Sequence, residues 1–324
     1  MFANRLALPA RHAETAVLVL VLGVTLAFMT ALTAGKLLRL ESLEAMAFQI
    51  PLLGVLALAQ MLPMLTGGID LAVISTANLT GISTALILTR LPAPYATPLG
   101  IVVGLGGALV VGTANGVLAA MLGVSPLIGT LATMILVRGV ALAITRGYVI
   151  AGFPQDFLFL GGGSLAGLPM PFVIFGLAAA AMAVLLNRTP FGVSEYMLGS
   201  NPVATLFSGV NTRALLLKTY LISGLLAGIA GLIMISRFNA AQADYGAGFL
   251  LLTVLIAVLG GVDPAGGVGT VLGLVIAVVI LQLVATGFNL VGLSQHLANA
   301  LWGVILILVI IFRRALPRTG PGRS

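Results

Sequence analysis

The feature that most constrains this chain is a succession of long apolar runs interrupted only by short polar gaps. A helix needs roughly 20 mainly apolar residues to cross a hydrocarbon layer ~30 Å thick. Runs of about that length recur from about residue 15 to about residue 312. Only 7% of the residues are charged, against about 25% in a soluble domain. So few charges cannot cover the surface of a water-soluble protein of 324 residues. The pattern predicts an all-α integral membrane protein.

The predicted spans lie at about 15–34, 45–65, 69–89, 98–121, 126–145, 171–187, 214–236, 247–262, 268–286 and 296–312, about ten in all. Two places are irregular. Only Thr66-Gly67-Gly68 separates the second span from the third, so an interruption is expected near 66–70. The eighth span is strongly apolar only from Phe249 to Val262, and the segment 239–248 before it contains Gly246 and Gly248. The first run follows Arg5 and Arg11 as a signal peptide would, but no small-x-small cleavage site follows it, and it is read as an uncleaved helix. The whole chain, 1–324, is read as one transmembrane domain, with a basic tail rich in Pro and Gly at 313–324 that is expected to be disordered.

The net charge of +7 could point to nucleic acid, but the cations sit at the ends of apolar runs rather than on one face. The expected partner of these charges is the lipid bilayer, with no nucleic acid. Ten spans put both termini on one side. With that side cytoplasmic, Arg5, Arg11, Arg188, Arg213, Lys218, Arg313, Arg314, Arg318 and Arg323 lie inside, while Lys36, Arg39, Arg90, Arg146 and Arg237 lie outside. The excess obeys the positive-inside rule. With no cysteine in the chain, the redox compartment is not legible.

No catalytic constellation is visible. The two histidines, His12 and His296, are far apart, and neither a His-Glu-x-x-His motif nor a Gly-x-Ser-x-Gly elbow occurs. The run Gly260-Gly261-Val262-Asp263-Pro264-Ala265-Gly266-Gly267-Val268-Gly269 lacks the Gly-Lys-Ser/Thr end of a phosphate loop and reads as a turn between helices. The chain is therefore expected to bind no metal or cofactor and to hydrolyse no ATP. Gly67-Gly68-Ile69-Asp70 and Gly260-Gly261-Val262-Asp263 resemble each other and hint at internal repetition.

The polar residues inside the spans are the candidates for solute passage. Arg138 falls near the middle of the fifth span, where a lipid-facing charge is costly, so it is expected to face the protein interior with an acid or carbonyls in reach. It serves either passage or the tying of helices. Asp70 opens a span carrying Ser75, Thr76, Asn78 and Thr80; it is either a helix cap or a path residue. Ser75, Thr76, Asn78 and Thr80 do not share one narrow stripe, and some are expected to face a cavity. Asn239, Gln242 and Asp244 precede the short eighth span, the kind of interruption that marks a substrate path. Between the sixth and seventh spans, Asn201 caps, Pro202 takes the first helical position, Val203, Ala204, Thr205, Leu206, Phe207 and Ser208 make two turns, and Gly209 ends them. A helix this short needs something to pack on, either a protein or the membrane surface.

Four stretches, in order, resemble the ribose-type (simple-sugar) permeases of ATP-binding-cassette importers. They are Thr66-Gly67-Gly68-Ile69-Asp70-Leu71; Leu127-Ile128-Gly129-Thr130-Leu131-Ala132-Thr133-Met134 with Arg138-Gly139 and Thr145-Arg146-Gly147; Leu198-Gly199-Ser200-Asn201-Pro202 through Val210; and Val258-Leu259-Gly260-Gly261 with Ala265-Gly266-Gly267-Val268-Gly269. The resemblance covers about residues 45–312. Two positions depart from it: Val193 follows Gly192 where the family often has Arg, and Leu250 and Leu252 stand where it often has acids.

The resemblance implies a permease subunit in the bacterial cytoplasmic membrane that imports a monosaccharide or similar small polar solute by alternating access. It implies a second permease subunit, two cytoplasmic ATPase subunits that hold ATP and magnesium, and an extracytoplasmic solute-binding protein. The helix from Asn201 to Gly209 would be the one that couples to the ATPase. The alternatives are a permease of the same machinery for branched-chain amino acids or another small solute, and a secondary transporter using Asp70.

Overall fold

The computed structural model describes residues 10–92, 94–294, 297–298, 300–305 and 307, with side chains from Thr15 onward. Helix α1 (Ala10–Leu32) leads through a 3-10 turn at Lys36–Leu38 into α2 (Leu40–Leu65), α3 (Val73–Arg90), α4 (Ala96–Ala120) and α5 (Pro126–Thr145). An end loop then holds β1 (Ile150–Ala151), α6 (Gln155–Gly162), β2 (Ser164–Leu165) and β3 (Leu168–Pro169). Next come α7 (Met170–Arg188), two non-spanning helices α8 (Pro190–Ser200) and α9 (Pro202–Phe207), and α10 (Thr212–Phe238). The series closes with β4 (Ala240–Ala241), α11 (Phe249–Leu259) and α12 (Val271–Val291). Helices are the expected answer to lipid, because a helix satisfies its own backbone.

Among the described residues, seven helices are long and apolar enough to cross a membrane: α1, α2, α4, α5, α7, α10 and α12. The expected count of about ten therefore needs correction. Helix α3 has 18 residues but is made less apolar by its Ser, Thr and Asn, and α11 has only 11 residues. The tenth expected span, 296–312, lies largely outside the described residues, as do the termini and their arginines, the tail 313–324 and His296. The side chains of Arg11 and His12 also lie outside them.

Helices α2 and α10 form the centre; two-thirds of the apolar window of each is buried (67%), against 11% for α1. Helix α10 packs on α2, α3, α4 and α6. Glycines allow this close approach. A Cβ on Gly112 of α4 would lie 2.6 Å from the Tyr220 carbonyl oxygen of α10, and one on Gly231 of α10 would lie 2.3 Å from the Ala77 carbonyl oxygen of α3. This is the small-residue packing that replaces hydrophobic driving force in lipid.

Helix α2 ends on Gly67, whose φ of +81° lets the Gly68 N–H return to the Pro63 carbonyl (2.8 Å). Helix α11 ends the same way on Gly261, φ +98°, with the Val262 N–H on the Ala257 carbonyl. The left-handed glycine is the first of the pair in Gly67-Gly68 and the second in Gly260-Gly261. The sequence similarity of these stretches is thus out of step with their backbone geometry, and it marks two helix ends rather than a superposable repeat.

Candidate translocation path

Asp70 lies in the turn between α2 and α3 and is buried. Its Oδ1 accepts from the Ala72 N–H (2.9 Å) and from Asn115 Nδ2 of α4 (3.4 Å), and its Oδ2 accepts from Ser223 Oγ of α10 (3.4 Å). In the orientation that satisfies both groups, the Gln60 amide donates to the Asp70 carbonyl (2.8 Å) and accepts from the Asp70 N–H (3.2 Å). Thr130 of α5 accepts from the Leu71 N–H and donates to the Ile69 carbonyl. The helix begins at Val73 with Ala72 as its N-cap. Asp70 is therefore no simple cap; it ties α2, α4 and α10 around the turn.

Ser75, Thr76, Asn78 and Thr80 are all buried in this single chain. Ser75 and Thr76 donate to the Ala72 carbonyl, and Thr80 donates to the Thr76 carbonyl, so these hydroxyls are spent within their own helix. Asn78 instead crosses to the segment before α11, donating to the carbonyls of Ala243 (2.9 Å) and Tyr245 (3.0 Å). It props open an irregular backbone that helical bonding leaves unsatisfied.

That segment carries the other candidates. Asn239 takes the left-handed conformation (φ +49°) at the end of α10, and its Oδ1 accepts from the Phe153 N–H (2.9 Å). It fastens the end loop, which β1 and β4 also join, with Ile150 opposite Ala241. Gln242 follows as a half-buried residue whose side chain has no hydrogen bond among the described residues. Asp244 meets Arg138: Nε donates to Oδ1 at 2.6 Å. The expected acid is present, but the expected interior location is not. The side chains are 58% and 40% exposed on the chain surface. Arg138 lies roughly 18 Å along α5 from its start by helical rise.

The surroundings of the pair define a wall. Helix α5 buries only a narrow stripe, Gly129, Thr130, Thr133, Val137, Ala141 and Thr145, against α3 and α4. Leu131 and Ile135 share the open side with Arg138. The structure thus brings Arg138 and Asp244 together at an uncovered face, and Asn78 supports that face from behind. It does not bring Asp70, Ser75, Thr76 or Thr80 there.

At the end of the bundle that holds α8 and α9, α9 has the local structure expected of it. Asn201 Oδ1 accepts from the Ala204 N–H (2.9 Å), Pro202 is the first helical residue, and Gly209 has φ +81°. Thr205 is buried, while Val203 (63%), Leu206 (59%) and Phe207 (85%) stand exposed. Just before α9, a Cβ on Gly199 would lie 1.9 Å from the Leu65 carbonyl oxygen and 2.3 Å from the Gly267 nitrogen. The Gly267 N–H donates to the same Leu65 carbonyl (2.8 Å), and Tyr196 Oη donates to the Gly269 carbonyl (3.0 Å). A short backbone-to-backbone stack therefore links α9 to the α2–α3 turn and to the loop between α11 and α12.

Sequence reasoning missed Glu195 of α8, which is fully buried and accepts a hydrogen bond from Thr219 Oγ1 on Oε1. Burial pushes its carboxyl up to about 8, while the Thr219 bond pulls the other way. Its Oε2 has no partner among the described residues. Gln60, Asn115 and Ser223 were missed as well. The only sequence signal was a polar residue inside an apolar run.

A family described as "Branched-chain amino acid transport system / permease component" matches residues 42–310. The chain belongs to this permease family. The permease is therefore a membrane transport subunit and not an enzyme. It is 32% identical over 268 residues to the "Ribose import permease protein RbsC" of Bacillus subtilis (strain 168), covering 82% of each chain. It is 33% identical over 268 residues to the "Autoinducer 2 import system permease protein LsrD" of Yersinia enterocolitica serotype O:8 / biotype 1B, covering 81% of this chain and 80% of that one. The LsrD of Enterobacter sp. (strain 638) is 32% identical and covers 81% of each. No solved structure matches the chain significantly.

Proposed function

We propose that the permease carries a monosaccharide or similarly small polar solute into the cytoplasm along the open face of α5, driven by separate ATPase subunits. The observation that carries this reading is the Arg138–Asp244 pair. A lipid-facing charge midway along an apolar helix costs about 2.5–3.5 kcal/mol even on lenient insertion scales. A face that exposes two charges there is covered by water or by protein. A second permease subunit, the same chain or a relative, completes the path across that face. The solute class is drawn from relatives named for ribose and autoinducer 2. The family description favours a second reading, a branched-chain amino acid as solute.

With α8 and α9 in the cytoplasm of the bacterial inner membrane, the apolar tip Val203, Leu206 and Phe207 has a groove of the ATPase to occupy. With α3, α11 and the expected span 296–312 counted beside the seven long helices, both termini share that side. An extracytoplasmic binding protein delivers solute to the opposite end, and the ATPase subunits hold ATP and magnesium. The stack at Gly199, Leu65 and Gly267 then carries a displacement of α9 to the α2–α3 turn. The permease supplies the path and this mechanical link, and the helices change its open side as the ATPase pair closes.

Two measurements test the reading. Vesicles containing the permease, its ATPase and its binding protein should accumulate solute with ATP and no ion gradient; accumulation only with an imposed ion gradient contradicts it. Phe207→Asp buries an unpaired charge in the docking groove, which costs several kcal/mol. ATP turnover should then separate from uptake while the permease remains folded in the membrane, and normal uptake by this variant would contradict the docking role.

A further inference from the structure

Arg138 and Asp244 touch at one point only. Nε donates to Oδ1 at 2.6 Å, and neither Arg138 Nη1 and Nη2 nor Asp244 Oδ2 has another hydrogen-bond partner among the described residues. A pair serving only to tie α5 to the segment before α11 would gain from the two-point fork that guanidinium and carboxylate readily form. Here the fork is left open toward the uncovered face. It offers several N–H donors beside an unused carboxylate acceptor, and the direct contact already neutralises the two charges. What remains is hydrogen-bonding capacity with little net charge.

That capacity matches a vicinal diol. One hydroxyl oxygen accepts from an Nη–H while the neighbouring hydroxyl donates to Oδ2, so a polyol exchanges lost water bonds for two charge-assisted ones. We propose that Arg138 and Asp244 together form a transit subsite for a vicinal diol of a neutral, polyhydroxylated solute. The subsite rests on the reading of the α5 face as the wall of the path. Leu131 and Ile135 supply the apolar surface on which the carbon side of such a solute slides. A singly charged solute is attracted by one member of the pair and repelled by the other. A zwitterionic amino acid engages both charges but must prise apart a contact already made. The subsite holds its ligand weakly, as passage requires.

The native chain has no cysteine, so Ile135→Cys places a single thiol one helical turn from Arg138 on the exposed side of α5. The full-length variant, assembled with its ATPase in vesicles, is labelled with a small water-soluble thiol reagent. Labelling is repeated in the presence of ribitol, of 1,5-pentanediol, which lacks adjacent hydroxyls, and of L-leucine. We expect labelling in water, slowed about threefold by ribitol at roughly twice its half-saturating concentration, and no slowing by pentanediol or leucine. Arg138→Lys and Asp244→Asn, each combined with Ile135→Cys, should label as fast as before but lose the ribitol effect. An unreactive Cys at 135 overturns both the path and the subsite. A reactive thiol that ribitol and pentanediol protect equally, that leucine alone protects, or that ribitol still protects in both double variants overturns the subsite and leaves the path standing.

Discussion

Two polar clusters among the described residues of the permease are treated in opposite ways. Around the α2–α3 turn, Gln60, Asp70, Asn115 and Ser223 are buried and bonded to one another or to backbone. Near the middle of α5, Arg138 and Asp244 lie open, with most of their bonding capacity unused among the described residues. A buried polar group is costly unless satisfied, and apart from Asn115 Oδ1, which has no partner among the described residues, the bonds of the first cluster make it a set of ties. An exposed charge at membrane depth is costly unless wetted or covered, and on that ground we propose the second as a working surface. On that proposal burial, and not polarity, separates structural residues from residues of the path.

The largest expected effect comes from breaking the buried cluster. Asp70→Leu strips the acceptor from the Ala72 N–H and from the Asn115 side chain, at about 1–3 kcal/mol for each group left unsatisfied, while Ser223 keeps the Ala59 carbonyl. Folded permease recovered from membranes should drop sharply and its thermal-unfolding midpoint should fall. Asp70→Asn, which keeps one acceptor, should recover part of both. Wild-type stability in Asp70→Leu would erase the distinction between the clusters.

Breaking the open pair should do the reverse. Arg138→Leu should leave the unfolding midpoint almost unchanged, because exposed pairs contribute about 0–1 kcal/mol. Initial uptake should nevertheless fall by roughly tenfold, equivalent to about 1.4 kcal/mol on the barrier. Arg146→Leu, at the exposed end of the same helix, is the control and should retain most uptake. Equal losses in the two variants would mean that any α5 cation serves.

The smallest effect sharpens the comparison through pH. The Glu195 carboxyl is raised by burial from its ordinary 4.5 to about 8 in the folded protein. The folded state therefore binds the proton more tightly. The stabilising contribution is complete below about 4.5, declines as pH climbs, and is spent once pH passes about 8. The unfolding midpoint of purified permease should drift down between about pH 5 and pH 8. Glu195→Gln should flatten that drift. A drift that persists in Glu195→Gln belongs to other groups.

What the sequence reveals follows the range of the interaction. Helix α9 is legible because its cap, its proline and its terminal glycine act within nine residues, Asn201 to Gly209. The bounds of α5, Pro126–Thr145, agree with the run read from the chain, since hydrophobic length is a local property. Asp70 reads as a cap or a path residue, and not as a tie, because its tie partners lie 45 and 153 residues away. The acid near Arg138 could be expected but not its exposure, which depends on what α5 packs against. The intrahelical bonds of the α3 hydroxyls were not legible because a serine bonded to its own helix and one facing water look identical in sequence.

Thiol accessibility tests most directly whether the open face, and not the buried cluster, is wet. Single cysteines at Ile135 and Leu142 on α5, and at Thr76 and Thr80 on α3, are compared in vesicles carrying the complete transporter with and without ATP. The two α5 positions should react with a small water-soluble thiol reagent at rates that change when ATP is added, while both α3 positions stay silent in every nucleotide state. Reaction at Thr76→Cys and Thr80→Cys with silence at both α5 positions would contradict the account, because the solute would then pass through the polar side of α3.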